Sequence, residues 1–356
     1  MVVASAHQAA SAAPKKKAPA PAAHAGGNVR WSDEAVADAI KKAQAFLWRQ
    51  QGNDGSWGKF GEGKRQYDDG PTALAVYALL ASGVSPNDKR MAKALEWLTK
   101  QENNFTYCLG LRCNVWYYAN KETENKYRTQ LRADAKMLIN GAVPKHGGYD
   151  YECLPDGKGG RYDNSNSQYG VLGVWAAALA NEEVPTKYWQ LVQDHWNGCQ
   201  SPDGGWGYTG KGNSTATMTA GGIATLYVCF DNLLYSQFGQ CKVKVDLSHI
   251  DKGLDWMSAN FAKCLQSGQY GIGGMFYFFY GVERVGLACG YKYFGTADWY
   301  KLGAEKLLAS QNAGGSWKGR YSETVSTAFA MLFLVRGQHA VAFNKLEFKG
   351  DWNNRP

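Results

Sequence analysis

The stretch AFLWRQQGNDGSW, Ala45 to Trp57, decides the fold. Its last seven residues, Gln51-x-x-x-Gly55-x-Trp57, return as QSPDGGW (Gln200 to Trp206) and QNAGGSW (Gln311 to Trp317). At this chain's Gln, Gly and Trp frequencies about 0.1 such matches are expected by chance, so three define an internal repeat. KHGGYDY (Lys145 to Tyr151) and GIGGMFY (Gly271 to Tyr277) are weaker relatives of it.

Each copy separates two kinds of helical segment. The segment before is amphipathic: in DEAVADAIKKAQAFLWRQ the apolar series Val36, Ile40, Ala43, Leu47 keeps to one helical face. Met91, Leu95 and Leu98 repeat it, as do Ile250, Leu254, Met257 and Phe261, with charge on the other faces. The segment after is apolar all round, as in PTALAVYALLASG (71–83), YGVLGVWAAALA (169–180), AGGIATLYVCF (220–230) and VSTAFAMLFLV (325–335). A helix apolar on every face is buried on every face. Wet and dry segments alternate in six pairs: 33–51 with 68–83, 87–101 with 105–120, 125–140 with 165–180, 186–199 with 214–234, 247–265 with 275–290, and 296–311 with 321–337. Two concentric rings, dry helices inside and wet ones outside, bury all six dry helices and leave no open end. The expected fold is therefore all-α, an α6/α6 toroid of about twelve helices in one domain.

Gln-x-x-x-Gly-x-Trp behind an amphipathic helix resembles the QW repeat of the squalene–hopene and oxidosqualene cyclases. Their α/α toroid is shared with protein prenyltransferase β subunits and complement thioester domains. The resemblance covers roughly residues 30–337, and AFLWRQQGNDGSW fits it best. It implies that Gln51, Trp57, Gln200, Trp206, Gln311 and Trp317 are structural, tying helix ends together. It also implies where chemistry would sit. The cyclases carry Asp-x-Asp-Asp-Thr at an inner helix start, and the middle Asp protonates an alkene or epoxide. The corresponding run here is Asp163-Asn164-Ser165-Asn166-Ser167, in which Ser165 stands where that acid would be. A hydroxyl cannot protonate an alkene. The prenyltransferase zinc site, an Asp-x-Cys with a later His, has no counterpart in GGMFYFFYGVERVG or YSETVSTAF, so no metal and no cofactor is expected.

In such a toroid the inner helix N-termini surround one mouth, and their free N–H groups favour polar or anionic contents. The residues expected to line it are Asp69, Asp163, Asn166, Gln168, Thr217, Tyr277, Tyr280 and Glu323. The starts are rich in Asn, Ser and Thr rather than in the aromatic faces that stabilise carbocations. Asp69, Asp163, Glu283 and Glu323 are the carboxyls that an enzyme would use as acid or base. Each also has a structural reading: Asp69 and Asp163 as helix caps, Glu283 as the partner of Arg284 or Arg320.

The 356 residues carry 39 basic and 31 acidic side chains, net +8, with Lys15, Lys16 and Lys17 in the tail. No basic stripe interleaved with aromatics and no zinc-finger spacing speaks for nucleic acid. No apolar run approaches the ~20 residues of a membrane span. Residues 1–29 are rich in Ala, Pro and Lys and are expected to be disordered. Ala4-Ser5-Ala6 has the form of a signal cleavage site, so export to the periplasm or envelope and a plain flexible tail both stay open. Residues 338–356 include the alternating VAFNKLEF, which resembles the start of an α/β domain that follows such toroids in some bacterial envelope proteins. None of the eight cysteines forms a C-x-x-C pair, and burial as small apolar residues is the favoured reading. Together these features point to a ligand-binding or scaffold module of a bacterial envelope protein, with a lipid, a polar small molecule or a protein as partner. The alternative is an enzyme on an isoprenoid or glycan with Asp163 or Asp69 as an unfamiliar acid.

Overall fold

The computed structural model describes residues 31–58, 69–158, 160–238 and 246–337. The expectations for the tail at 1–29, the extension at 338–356 and Cys241 lie outside them. Twelve α-helices follow one another among the described residues. The outer ones are α1 (Asp33–Gln50), α3 (Lys89–Thr99), α5 (Arg128–Gly141), α7 (Thr186–Cys199), α9 (Ser248–Ser267) and α11 (Trp299–Ser310). The inner ones are α2 (Gly70–Ala81), α4 (Thr106–Asn120), α6 (Asn164–Leu179), α8 (Ala216–Phe238), α10 (Gly274–Cys289) and α12 (Glu323–Gly337). All six expected pairs are present, with ends shifted by a few residues. One small feature was not foreseen: β1 (Tyr293–Phe294) and β2 (Ala297–Asp298) form an antiparallel hairpin before α11.

Each inner helix packs on the next, and α12 returns to α2, so the inner ring closes. Outer α1 lies against both α11 and α12, which closes the second ring over the same seam. The outer helices bury one stripe each; in α1 it is Val36, Ala39, Ala43, Phe46 and Leu47. The inner helices are buried almost throughout; in α2 every residue from Gly70 to Leu80 is. Helix starts follow the sequence signals: Ser32 accepts from the Ala35 N–H at 3.1 Å and Asp298 from Lys301 at 3.0 Å, and Pro71 occupies the first turn of α2. Asp69 precedes α2 but makes no capping hydrogen bond. The seven described cysteines are free thiols, and all are buried.

The three copies of the repeat adopt one geometry. Each Trp indole N–H donates to a carbonyl ten residues back in the outer helix: Trp57 to Leu47 at 2.6 Å, Trp206 to Trp196 at 2.8 Å, Trp317 to Leu307 at 2.9 Å. Each Trp backbone N–H donates to a threonine hydroxyl in the first turns of the following inner helix: Thr72 at 2.9 Å, Thr219 at 3.1 Å, Thr327 at 3.1 Å. Each Gln carboxamide bridges its own turn to the next outer helix. Gln51 reaches Gly55 and Arg90, Gln200 reaches Gly204 and His249, and Gln311 reaches Gly315 and Ala39. The last of these joins α11 to α1. The glycine is obligatory for two reasons. Gly55, Gly204 and Gly315 have φ of +97°, +89° and +89°, and a Cβ there would come within 3.0, 2.6 and 2.3 Å of a backbone carbonyl oxygen of the next outer helix.

Candidate binding site

The first turns of α4, α6 and α10 meet on the axis. Tyr107 Oη donates to Ser165 Oγ at 2.6 Å, and Ser165 Oγ is 2.7 Å from Tyr277 Oη. Gln168 Nε2 donates to Tyr277 Oη at 2.6 Å, and its Oε1 accepts from Arg284 Nη2 at 2.6 Å. Five side chains from three helices thus form one continuous polar chain. Gln168 fits because α8 presents Gly221, where a Cβ would sit 2.9 Å from the carboxamide.

Aromatic rings surround this chain. Tyr169 stacks on Tyr277 with centroids 6.0 Å apart and planes 6° apart, and meets Tyr107 edge-on at 4.9 Å. Phe329 of α12 contacts Tyr277 at 5.8 Å and Tyr280 at 5.3 Å. At the rim Tyr151 Oη is 3.0 Å from Tyr208 Oη. The expectation of a mouth poor in aromatic faces is therefore corrected. Tyr107 and Tyr277 stand in the first turns of α4 and α10, and Tyr151 and Tyr208 come from the loops between rings. Burial pushes the phenols of Tyr107, Tyr169 and Tyr277 above their ordinary range, so they remain protonated donors.

Exposure along the axis follows an hourglass. Tyr107 and Tyr321 are partly exposed at the upper mouth. Tyr77, Gln168 and Tyr280 form a waist and are each only 1% exposed. Below it exposure rises again on four inner helices: Asn114 of α4 reaches 8%, Arg284 of α10 6%, Val228 of α8 6% and Leu179, near the end of α6, 42%.

The four candidate carboxyls are not gathered in one place. Asp163 caps α6: its Oδ1 accepts from the Asn166 N–H and its Oδ2 from Asn166 Nδ2, both at 2.7 Å. Burial raises its pKa against those bonds. Asn166 is thus turned back onto the cap, and Ser165, not Asn166, joins the axial chain. Asn164 donates to the Gly207 carbonyl at 2.9 Å and lies 3.0 Å from His195 Nε2. Asp69 is fully buried beside Arg112, 3.3 Å from Nη1, and accepts from Asn103. Arg112 also pairs with Asp134 through Nη2 at 2.8 Å, and Trp116 Nε1 donates to Asp134 at 2.8 Å. This cluster staples α2, α4 and α5. Glu283 is fully buried, and its partner is Arg336 of α12 at 3.0 Å, not Arg284 or Arg320. The contact is an ion pair without hydrogen-bond geometry. Burial pushes the Glu283 carboxyl up while Arg336 and Arg284 pull it down. Glu323 is partly exposed, accepts from Ser316 at 3.3 Å and lies 3.5 Å from Lys318. Thr217 donates its backbone N–H to Tyr270 at 3.0 Å, its hydroxyl 3.3 Å from Thr215.

A thiol and an imidazole also lie near the start of α6. Cys199 Sγ is 3.9 Å from both ring nitrogens of His195. Burial lowers His195 to about 4 and raises the Cys199 thiol, so both are neutral and no thiolate–imidazolium nucleophile forms. Among the described residues no group of three or more His, Cys, Asp or Glu is arranged to hold a metal ion.

Sequence reasoning missed Tyr107, Arg284 and the three threonines that hold the repeat tryptophans. The threonines had a signal: each is followed by Ala, as Thr72-Ala73, Thr219-Ala220 and Thr327-Ala328. Arg284 was read only as a partner for Glu283, and its bond to Gln168 had no signal in the sequence.

Residues 29–104 match the family description "Squalene-hopene cyclase N-terminal domain". No curated protein sequence matches the chain. Among solved structures it is similar to the type II terpene cyclase MstE from Scytonema, at 14% identity and a TM-score of 0.55, over 85% of this chain and 98% of that one. It is similar to the GH76A alpha-1,6-mannanase from Salegentibacter sp. HEL1_6, at 10% identity and a TM-score of 0.60, over 85% and 98%. A third is described as a possible member of the GH105 family, from Salmonella enterica serovar Paratyphi A, at 14% identity and a TM-score of 0.58, over 88% and 96%. The α/α toroid is thus common to all, and the match over 29–104 supports the resemblance to the terpenoid-cyclase superfamily carried by the repeat. No helix of the described residues is long and apolar enough to cross a membrane.

Proposed function

We propose that the protein is a non-catalytic toroid module that binds a ligand at its tyrosine-lined mouth, in the setting of a bacterial envelope. One observation carries the reading. Where the cyclase pattern has its strong acid, the axis has the Ser165 hydroxyl held between the phenols of Tyr107 and Tyr277. None of the three can protonate an alkene. The nearby carboxyls are engaged elsewhere: Asp163 in a cap, Asp69 with Arg112, Glu283 with Arg336. The mouth offers ring faces and hydroxyls, which suit a lipid, a polar small molecule or a protein side chain entering from above. The envelope setting is supported by the cleavage-site form of Ala4-Ser5-Ala6 and by the resemblance of VAFNKLEF in residues 338–356, and fractionation of cells expressing the gene tests it.

A second reading keeps catalysis, on an isoprenoid or a glycan, with Asp163 or Asp69 as the acid. Burial raises the Asp163 pKa, which is what a general acid needs. Of the similar structures one is described as a GH76A alpha-1,6-mannanase, one as a possible member of the GH105 family and one as a terpene cyclase. The decisive experiment incubates the protein with squalene, a prenyl diphosphate and α-1,6-mannan, and records native mass spectra after expression in polyprenoid-rich cells. A retained ligand without turnover supports the binding module. Turnover of any of the three, abolished by Asp163→Asn, overturns it.

A further inference from the structure

Below the waist the partly accessible side chains of the inner helices are mainly apolar: Leu111 of α4, Leu172 and Trp175 of α6, Ala224 and Val228 of α8, with Asn114 of α4 among them. Arg284 lies one turn beyond Tyr280 along α10. Two of its nitrogens are used: Nη2 on Gln168 and Nε on the Tyr280 carbonyl at 3.3 Å, with the guanidinium 4.6 Å over the Tyr280 ring. Nη1 is buried and has no partner. Among the described residues no carboxylate lies within ion-pair distance of Arg284, because the adjacent Glu283 pairs with Arg336. Both guanidiniums act on the Glu283 carboxyl electrostatically, but the ion pair is with Arg336. An uncompensated buried charge is costly, and a guanidinium with a free donor is shaped to receive a carboxylate or phosphate. At the rim Lys121 lies 4.1 Å over Tyr117 and 4.6 Å over Tyr118, adding positive charge at the entrance. Asp231, towards the same end of α8, is the opposing carboxyl, and burial pushes its pKa up, towards the neutral form.

We propose that this lower funnel binds an amphiphile with an anionic head, the head paired with Arg284 and the tail lying along the apolar walls towards the rim. Arg284 is bonded to Gln168 of the mouth's polar chain, but its free Nη1 needs no ligand at the mouth, so the two readings fail separately. The lower funnel supplies the two features that such a molecule needs together, a dry wall and one unmatched cation at its end.

Isothermal titration of the full chain tests it, with dodecanoate and dodecyl phosphate below their micelle concentrations. Dodecyl maltoside supplies the same tail with a neutral head, and inorganic phosphate supplies a head without a tail. At least one anionic amphiphile binds about tenfold or more tighter than either control, and whichever of the two binds tighter tells a carboxylate from a phosphate head. Arg284→Met weakens that binding about tenfold or more while leaving the circular dichroism spectrum unchanged. Ala224→Leu, which narrows the funnel from the opposite wall, weakens it independently should Arg284→Met perturb the ring. Equal binding of the maltoside, binding undiminished in both variants, or no binding of either anionic amphiphile overturns the proposal.

Discussion

The six corners that join outer to inner helices are of two kinds. Those leading into α2, α8 and α12 carry the repeat and are near copies: Trp to a carbonyl ten residues back, Thr to the Trp backbone, Gln to the next outer helix. Those leading into α4, α6 and α10 lack the Trp and the Gln; the α6 corner keeps a remnant, with the Tyr149 N–H on Ser167 Oγ at 3.0 Å and Gly147 at φ +74° against the Leu191 carbonyl, and these corners deliver Tyr107, Ser165, Gln168 and Tyr277 to the axis. The difference separates two jobs. Where sequence is repeated, the Gln, Trp and Thr bonds are made within the frame and fix the ring. Where it diverges, polar groups are turned inward and meet groups from other helices. A shared corner geometry sets spacing and closure, which leaves the remaining corners free to vary.

The sharpest way to break this contrast is to remove a repeat tryptophan. Trp206→Ala vacates a fully buried ring and strands the Trp196 carbonyl, so urea unfolding should show a loss of about 3–5 kcal/mol. A loss under about 1 kcal/mol would mean that the repeat corners are not the frame.

Acid should act on a divergent corner next. His195 bonds to Asn164 at the start of α6, and burial holds its pKa near 4 against an ordinary 6.5. Between those values the unfolded chain takes up a proton that the folded chain refuses. Stability attributable to His195 is therefore intact above pH 6.5 and declines as pH falls towards 4, by roughly 3 kcal/mol in all. Denaturant midpoints measured from pH 7 to pH 4 should show this slope, and His195→Gln should flatten it.

Gln311→Leu removes the carboxamide that bonds Gly315 and Ala39, and should lower stability by about 1–2 kcal/mol in the same assay. Smallest of all, Ser165→Ala should cost about 1 kcal/mol or less in a thermal melt, because Tyr277 keeps Gln168 as partner. If Ser165→Ala proved as damaging as Gln311→Leu, the division between frame and inward-facing chemistry would fail.

The sequence made the frame legible because its signals are local. The stripe of α1, the all-round apolar run of α2 and the spacing of Gln51, Gly55 and Trp57 each fit inside one window. The interior was less legible because its partners are far apart along the chain. Ser165 and Tyr277 are 112 residues apart, and Arg284 and Gln168 are 116 apart. Glu283 illustrates the limit. Its neighbours in sequence suggested Arg284, yet closure of the ring brings Arg336 of α12 to it instead. Asp69 likewise reads as a cap and is instead held by Arg112 of the next inner helix.

The bond from Gln311 to Ala39 spans 272 residues, and α2 packs on α12 as well as on α4. During synthesis, α1 and α2 therefore emerge long before the surface they require exists. A nascent chain that has reached α11 still has two open edges, one at each end of an incomplete arc. Folding to the final state must wait for the last helix, and the growing chain must stay unaggregated in that interval. The closed ring has no weak end once finished, and the cell meets its exposed edges only while the protein is being made.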